Sequence, residues 1–163
     1  MSFIDNHPLR GAFVANQLER LAALIVAQGE DLLRDGGVQF PSRAASTVLL
    51  IGEEGEIAVA DIAKTLTQPH QLVTQRIELL MDLGLVKRAS DPEDGRRKIV
   101  VLTAKGGEQY RRLKARLVQA RAAFAALFEE IGGDLPALIL RAMDALNERP
   151  LTQRVAAAKR VGA

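Results

Sequence analysis

The segment from Val59 to Leu102 constrains the fold of this 163-residue chain more than any other. Apolar residues recur at helical spacing over 59–66 and again over 69–83, and only a tight turn fits at Thr67-Gln68 between them. Proline at position 69 suits the first turn of the second helix, because its missing N–H would be unpaired there in any case. The pattern therefore predicts two short helices joined as a helix-turn-helix.

A β-hairpin is predicted directly after these helices. Residues 85–89 and 97–102 have strand character, and Asp91-Pro92-Glu93-Asp94-Gly95 between them is rich in turn-forming residues. Asp94 can accept a hydrogen bond from Arg96 and so fix the direction of its guanidinium. A hairpin in this place is the wing of a winged helix-turn-helix, and its basic tip is suited to the minor groove of DNA, where the potential is most negative.

Long helical patterns flank this segment on both sides. Residues 9–34 carry an apolar stripe, and a heptad-like stripe runs from Tyr110 to Ile131. The predicted N-caps of three later helices are Ser42, Thr103 and Asp134. A lone chain could not cover these stripes, so we expect a homodimer. The residues assigned to dimerisation are Leu18, Leu21, Ile25, Leu113, Leu117, Phe124, Leu127, Ile139 and Leu146.

The predicted fold class is mainly α (α+β), a winged helix-turn-helix with long N- and C-terminal dimerisation helices. We expect one compact chain with three parts. An N-terminal dimerisation helix covers 1–35, a DNA-binding domain covers 36–102, and C-terminal dimerisation helices cover 103–163.

Composition argues against several functional classes. Cysteine is absent, which excludes disulfides, thiolate metal sites and thiol chemistry, and His7 and His70 are the two histidines. The chain has no phosphate-binding loop and no G-x-S-x-G motif. We therefore expect no catalytic residue, no metal and no cofactor. No apolar run approaches the roughly 18 residues of a spanning helix, and the first residues lack a secretory signal, so we expect a cytoplasmic protein without a membrane partner.

Three stretches resemble the MarR (multiple antibiotic resistance regulator) family of transcription factors: Leu83-Gly84-Leu85-Val86-Lys87-Arg88, Asp91-Pro92-Glu93-Asp94-Gly95-Arg96-Arg97 and Val101-Leu102-Thr103-Ala104-Lys105-Gly106. Upstream, Val59, Ile62, Ala63 and Leu66 are similar in spacing to the family's first motif helix. The resemblance implies a dimer built from the first and last helices, a ligand cleft between the dimerisation and DNA-binding parts, and usually repression. The alternative is a helical-dimer adaptor with little affinity for DNA.

The second helix of the motif is expected to enter the major groove. If Val73 faces the core, Gln71 and Gln75 lie about 160° away from it, with Thr74 beside them. Amide side chains can pair with adenine, and threonine can bond either type of base. The expected DNA contacts, on an inverted-repeat operator, are Arg43, Gln68, His70, Gln71, Thr74, Gln75, Arg76, Arg96, Arg97 and Lys98, with Asp94 orienting the wing.

Two expectations leave alternatives open. The resemblance implies an apolar residue where this chain has Arg76, which could contact phosphate or the dimer edge, or pair inside the protein. A small aromatic or acidic effector is expected beside Phe13, Phe40 and Arg43, although packing in the core is the commoner role of a phenylalanine. The second motif helix is not basic, since Glu78 and Asp82 oppose Arg76. Positive charge must then come from the wing, from Arg43 and from the basic face of the long helix.

Overall fold

The computed structural model describes residues 2–90 and 98–161, with the backbone alone for Lys98 and residues 159–161. The helices are α1 (Val14–Asp35), α2 (Ala45–Glu54), α3 (Val59–Thr65), α4 (His70–Asp82), α5 (Ala104–Glu130), α6 (Leu135–Glu148) and α7 (Leu151–Val161). The chain forms two compact units, Met1–Leu117 and Val118–Ala163. The division into three parts stays a prediction. In the described part of the chain, no helix combines the length and apolar character needed to span a membrane.

The first unit contains a small antiparallel sheet. Its strands are β1 (Glu56–Ala58), β2 (Val86–Ser90) and β3 (Lys98–Leu102), in the order β1-β3-β2. Val86 lies opposite Leu102 and Ser90 lies opposite Lys98, so β2 and β3 are the two strands of the predicted hairpin. β1 adds a third strand, which pairs antiparallel with β3. The mainly α fold with a winged helix-turn-helix is confirmed.

The core of this unit lies between α2, α3, α4, the sheet and the first turns of α5. Val73, Ile77 and Leu80 are fully buried, as the apolar stripe of α4 predicts. They pack with residues from the surrounding elements, chiefly Val48, Ile51, Ile62, Leu85, Val100 and Leu113. The buried face of α4 is therefore fixed, and so is the face that it leaves exposed.

Thr103 caps α5 as predicted and also ties this helix to the sheet. Its Oγ1 accepts a hydrogen bond from the Gly106 N–H at 3.0 Å, and its hydroxyl lies 2.7 Å from the Gly84 carbonyl oxygen, to which it donates. Gly84 ends the turn after α4 with a φ of 69°, a conformation that favours glycine. The start of α5 is thus held against the beginning of the hairpin.

Two helix starts differ from the predictions. The first helix was expected from residue 9, but α1 begins at Val14 after two short 3-10 turns, Ile4–Asn6 and Arg10–Ala12. Ser42 was predicted to cap the next helix, and this is wrong, because Ala44 holds the cap position of α2. The Ser42 N–H and hydroxyl instead donate to Glu30 Oε1 at 2.8 and 2.7 Å, since a carboxylate is the stronger acceptor.

The second unit consists of the end of α5 with α6 and α7. Asp134 caps α6 by accepting from the Ala137 N–H at 3.0 Å, as predicted. At the other end of α6, Arg154 donates to the carbonyl oxygen of Arg149 at 2.8 Å and to that of Ala145. No residue of α6 is buried in the single chain. None of the side chains described over residues 118–158 is buried in the single chain, so the apolar residues of α6 find no interior in that stretch.

The segment before α1 is attached by a charged pair with a testable pH dependence. Arg20 Nη1 donates to Asp5 Oδ1 at 2.7 Å, and the Ser2 N–H donates to Asp5 Oδ2 at 2.9 Å. The Arg20 hydrogen bond is the main cause that lowers the pKa of Asp5 from 3.8 to about 2. Because the folded pKa is depressed, this stabilisation is present above pH 4 and is lost as the pH falls toward 2. Arg20→Gln should move the Asp5 titration, followed by carboxyl NMR shifts, back toward 3.8. Arg34→Gln, which removes the partner of Asp31 near the other end of α1, should leave it unchanged.

Candidate DNA-binding surface

The exposed face of α4 carries the side chains that the sequence assigns to base reading. Gln71 and Gln75 are exposed, whereas Val73, between them in sequence, is fully buried. The predicted orientation of the helix is therefore correct. Two amides project from one face of a rigid element, where both can form paired hydrogen bonds with a base edge.

Thr74 and His70 lie beside these amides and contact each other. The Thr74 hydroxyl donates to the His70 carbonyl oxygen at 3.0 Å and lies 3.4 Å from His70 Nδ1. Thr74 is half-buried and His70 is exposed. Because the threonine proton is used within the helix, Thr74 is better placed to accept a hydrogen bond than to donate one.

Gln68 and Arg76 contact each other instead of extending separately from the surface. Arg76 Nη1 donates to Gln68 Oε1, and both residues are half-buried. The sequence left two alternatives for Arg76, a contact with phosphate or the dimer edge and a contact inside the protein. The structure contains the contact inside the protein.

The wing is described in part. Lys87 and Arg88 are exposed on β2, and Lys98 begins β3. Asp94, Arg96 and Arg97 lie outside the described residues, so their roles stay predictions. Arg43 is exposed in a 3-10 turn, Ser42–Ala44, that precedes α2.

Two arginines of the basic face of α5 form hydrogen bonds within the protein. Arg112 Nη1 and Arg116 Nη2 each lie 3.1 Å from a carbonyl oxygen at the end of α1, those of Gly37 and Asp35 respectively. Buried Gln109 accepts from the Gln39 N–H at 2.7 Å and donates to the Gly37 carbonyl oxygen at 3.3 Å. These cations compensate the negative end of the α1 dipole. No pattern near these arginines in the sequence predicts this role, although Asp35-Gly36-Gly37 signals a helix end whose carbonyl groups need donors.

Lys114, a neighbouring basic residue of α5, also has partners within the protein. Lys114 Nζ lies 2.8 Å from Glu53 Oε1, and the Tyr110 hydroxyl donates to the same oxygen at 2.7 Å. These contacts hold the pKa of Glu53 below its ordinary value and that of Lys114 above its own. Much of the positive charge predicted for DNA thus faces α1 and α2, which leaves the wing and Arg43 as the expected sources.

A pocket of about 510 Å³ opens beside the exposed face of α4. Ile77 and Val59 form part of its apolar wall, and Asp61, His70 and Arg88 supply charged or polar groups. These residues come from α3, α4 and β2, so no local pattern in the sequence indicated the pocket. The part of the chain that the structure describes contains no cluster of three or more side chains suited to a metal ion.

The residues predicted to hold an effector have different environments. Phe40 is 5% exposed and belongs to the core cluster. Phe13 is exposed and its ring lies 6.5 Å from that of His7, in an edge-on arrangement. Phe40 thus takes the alternative role, packing in the core.

The dimerisation residues divide into two groups. Leu18, Leu127, Ile139 and Leu146 are exposed in the single chain, and Leu21, Ile25, Leu117 and Phe124 are half-buried. Leu113 is fully buried in the core of the first unit. Its assignment to dimerisation is wrong, because the first turns of α5 face the core of their own chain.

Comparison with known proteins identifies the region that carries this surface. Residues 37–97, which include α2, α3, α4 and the first strand of the wing, match the model of the MarR family. This region belongs to the MarR family. No curated protein matches the chain.

Several solved structures share the fold of this chain. A transcriptional regulator (MarR family) from Rhodococcus sp. RHA1 is 23% identical, with a TM-score of 0.57 and coverage of 83% of this chain and 92% of the other. CouR from Rhodococcus jostii RHA1, solved with p-coumaroyl-CoA bound, is 22% identical, with a TM-score of 0.57 and coverage of 90% and 93%. The transcriptional regulator BldR from Sulfolobus solfataricus is 19% identical, with a TM-score of 0.57 and coverage of 91% and 99%.

The MarR-family match bears on the functional class. Members of the family are DNA-binding transcription regulators and not enzymes. The prediction of a DNA-binding regulator is therefore confirmed, as is the prediction that the chain is not an enzyme.

Proposed function

We propose that the protein is a homodimeric repressor that binds an inverted-repeat operator with α4 of each protomer in the major groove. The observation that carries this proposal is the exposed pair Gln71 and Gln75, on the face of α4 opposite fully buried Val73. A helix fits the major groove, and a symmetric dimer reads two half-sites about one helical turn apart.

Exposed apolar residues support the homodimer. Leu18 and Leu24 on α1 and Ile139 and Leu146 on α6 are between 39% and 55% exposed in the single chain. α1 has one buried residue in the single chain and α6 has none. Exposed apolar side chains at helical spacing on such helices are typical of an interface that a second copy covers.

Gln75→Ala is the substitution that tests base reading. A bidentate pair between an amide and adenine discriminates by about 1–3 kcal/mol, so the variant should bind the best operator about 5- to 150-fold more weakly. Binding to random DNA should stay nearly unchanged. Gel shifts on the DNA upstream of the gene, with random DNA as competitor, measure both affinities.

Arg96→Ala is the matched contrast, since the wing is proposed to contact the backbone in the minor groove. This variant should lose affinity for all sequences alike and show a flatter salt dependence. Asp94→Ala should behave in the same way but more mildly, because the arginine remains and only its orientation is loosened.

Selection from random oligonucleotides decides between this proposal and an adaptor with little DNA affinity. Recovery of a palindrome by the wild type, and of a relaxed motif by the Gln75 variant, supports base reading by α4. Recovery of the same motif by both proteins contradicts it, and recovery of no motif by the wild type favours the adaptor.

We also propose that a small aromatic or acidic effector releases the protein from DNA. CouR was solved with p-coumaroyl-CoA bound, which supports ligand control in a protein of this fold. The pocket beside α4 is the proposed position, because His70 and Thr74 line it and also belong to the proposed DNA surface. Loss of operator binding on addition of an aromatic carboxylate, reversed by its removal, tests this part of the proposal.

A further inference from the structure

The turn between α3 and α4 is held from both sides. The Thr67 N–H donates to the Lys64 carbonyl oxygen at 3.1 Å, and the Gln68 N–H donates to that of Ala63 at 2.9 Å, which ties the turn to α3. The side chain of Gln68 accepts from Arg76, two turns into α4. Thr67 has a φ of 51°, a left-handed conformation that is uncommon for a residue other than glycine.

Arg76 is held at the edge of the core by this contact. The residue is half-buried, and its Nε is shielded from solvent without a hydrogen-bond partner among the described residues. A shielded donor that lacks a partner is unfavourable, so the guanidinium is a costly group at this position. Its bond to Gln68 is the compensating contact that the structure describes.

We propose that Arg76 is a positioning residue for DNA recognition. Its bond to Gln68 fixes the direction in which α4 leaves the strained turn, and so the direction in which Gln71 and Gln75 point. The DNA part of this inference rests on the proposed function, whereas the effect on the turn does not depend on it.

Hydrogen exchange on the free protein tests the turn alone. Arg76→Met keeps an apolar stem but removes the donors. We expect the Thr67 and Gln68 amides to exchange at least about tenfold faster in this variant, while the Leu80 amide in the buried part of α4 is unchanged. Gln68→Ala should have the same effect, and the double variant should add nothing further, because both substitutions remove the same hydrogen bond.

A second substitution keeps this test decisive if Arg76→Met does not fold. Gln68→Glu places a charged acceptor opposite Arg76 and should preserve or increase the protection of the two amides. Protection that is unchanged in Gln68→Ala, or that is lost in Gln68→Glu, would overturn the proposal.

Salt titration of operator binding separates positioning from direct binding of phosphate. If Arg76 positions α4, Arg76→Met lowers operator affinity about tenfold and leaves the slope of log K against log salt unchanged. If Arg76 binds phosphate, the slope becomes shallower by about 0.9 for each phosphate that the variant no longer neutralises, and the positioning role is wrong. If the wild type binds no DNA while the turn still loosens in the variant, the proposed function fails and the effect on the turn stands.

Discussion

Gly106→Ala is expected to destabilise the first unit by about 3 kcal/mol, near the upper end of ordinary overpacking effects. A Cβ at this position would lie 1.9 Å from the Leu85 carbonyl oxygen and 2.9 Å from its carbonyl carbon. These are backbone atoms, and the same oxygen accepts from the Thr103 N–H at 3.0 Å. The start of α5 must therefore move away from the hairpin, which breaks the hydrogen bonds of Thr103. Urea unfolding followed by circular dichroism measures the destabilisation.

Gly107→Ala is the matched control for this substitution. A Cβ at Gly107 meets nothing within 4 Å, and the residue lies in the same helical turn. Alanine is favoured over glycine in a helix by about 1 kcal/mol, so this variant should be slightly more stable than the wild type. Equal unfolding midpoints for the two variants would show that α5 does not dock tightly at Gly106.

Ile139→Glu is expected to convert the proposed dimer into a monomer and to abolish operator binding. Ile139 lies on α6, which has no buried residue in the single chain, within an apolar face that includes Leu135, Ala142 and Leu146. Burial of an unpaired carboxylate in an interface lowers the stability of the dimer by several kcal/mol. The same carboxylate at a position that stays exposed to solvent lowers it far less. Analytical ultracentrifugation at micromolar concentration measures the change of mass.

Arg141→Glu introduces the same side chain on the opposite face of α6. Arg141 is exposed and lies about 200° around the helix from Ile139, so this variant should remain dimeric. A wild type that sediments as a monomer, or an Ile139→Glu protein that remains dimeric, would contradict the proposed interface.

Local signals in the sequence predicted much of the DNA-binding unit. The apolar stripe of α4 and the cap at Thr103 each depend on residues within a few positions of one another, and the structure agrees with both. The same stripe predicted the orientation of Gln71 and Gln75. Patterns of this kind are reliable because one helix face must meet the core.

Contacts between distant residues could not be predicted in this way. Leu113 shares a heptad-like stripe with Phe124, yet the first faces the core of its own chain and the second lies in the other unit. Arg112 and Arg116 belong to the basic face that was expected to supply positive charge for DNA, because nothing near them in sequence shows that the end of α1 lies within reach. A contact of Arg76 inside the protein was one of two alternatives, and periodicity alone neither chooses between them nor identifies Gln68 as the partner.

The attachment of α5 to the end of α1 also limits how the chain can vary in length. Loops between helices usually tolerate insertions and deletions. Here the Asp35 and Gly37 carbonyl groups and the Gln39 N–H each have a fixed partner on α5. A residue added or removed between positions 35 and 39 would shift these groups past their partners. Peptide tags and domain fusions are therefore better placed elsewhere than in this connection.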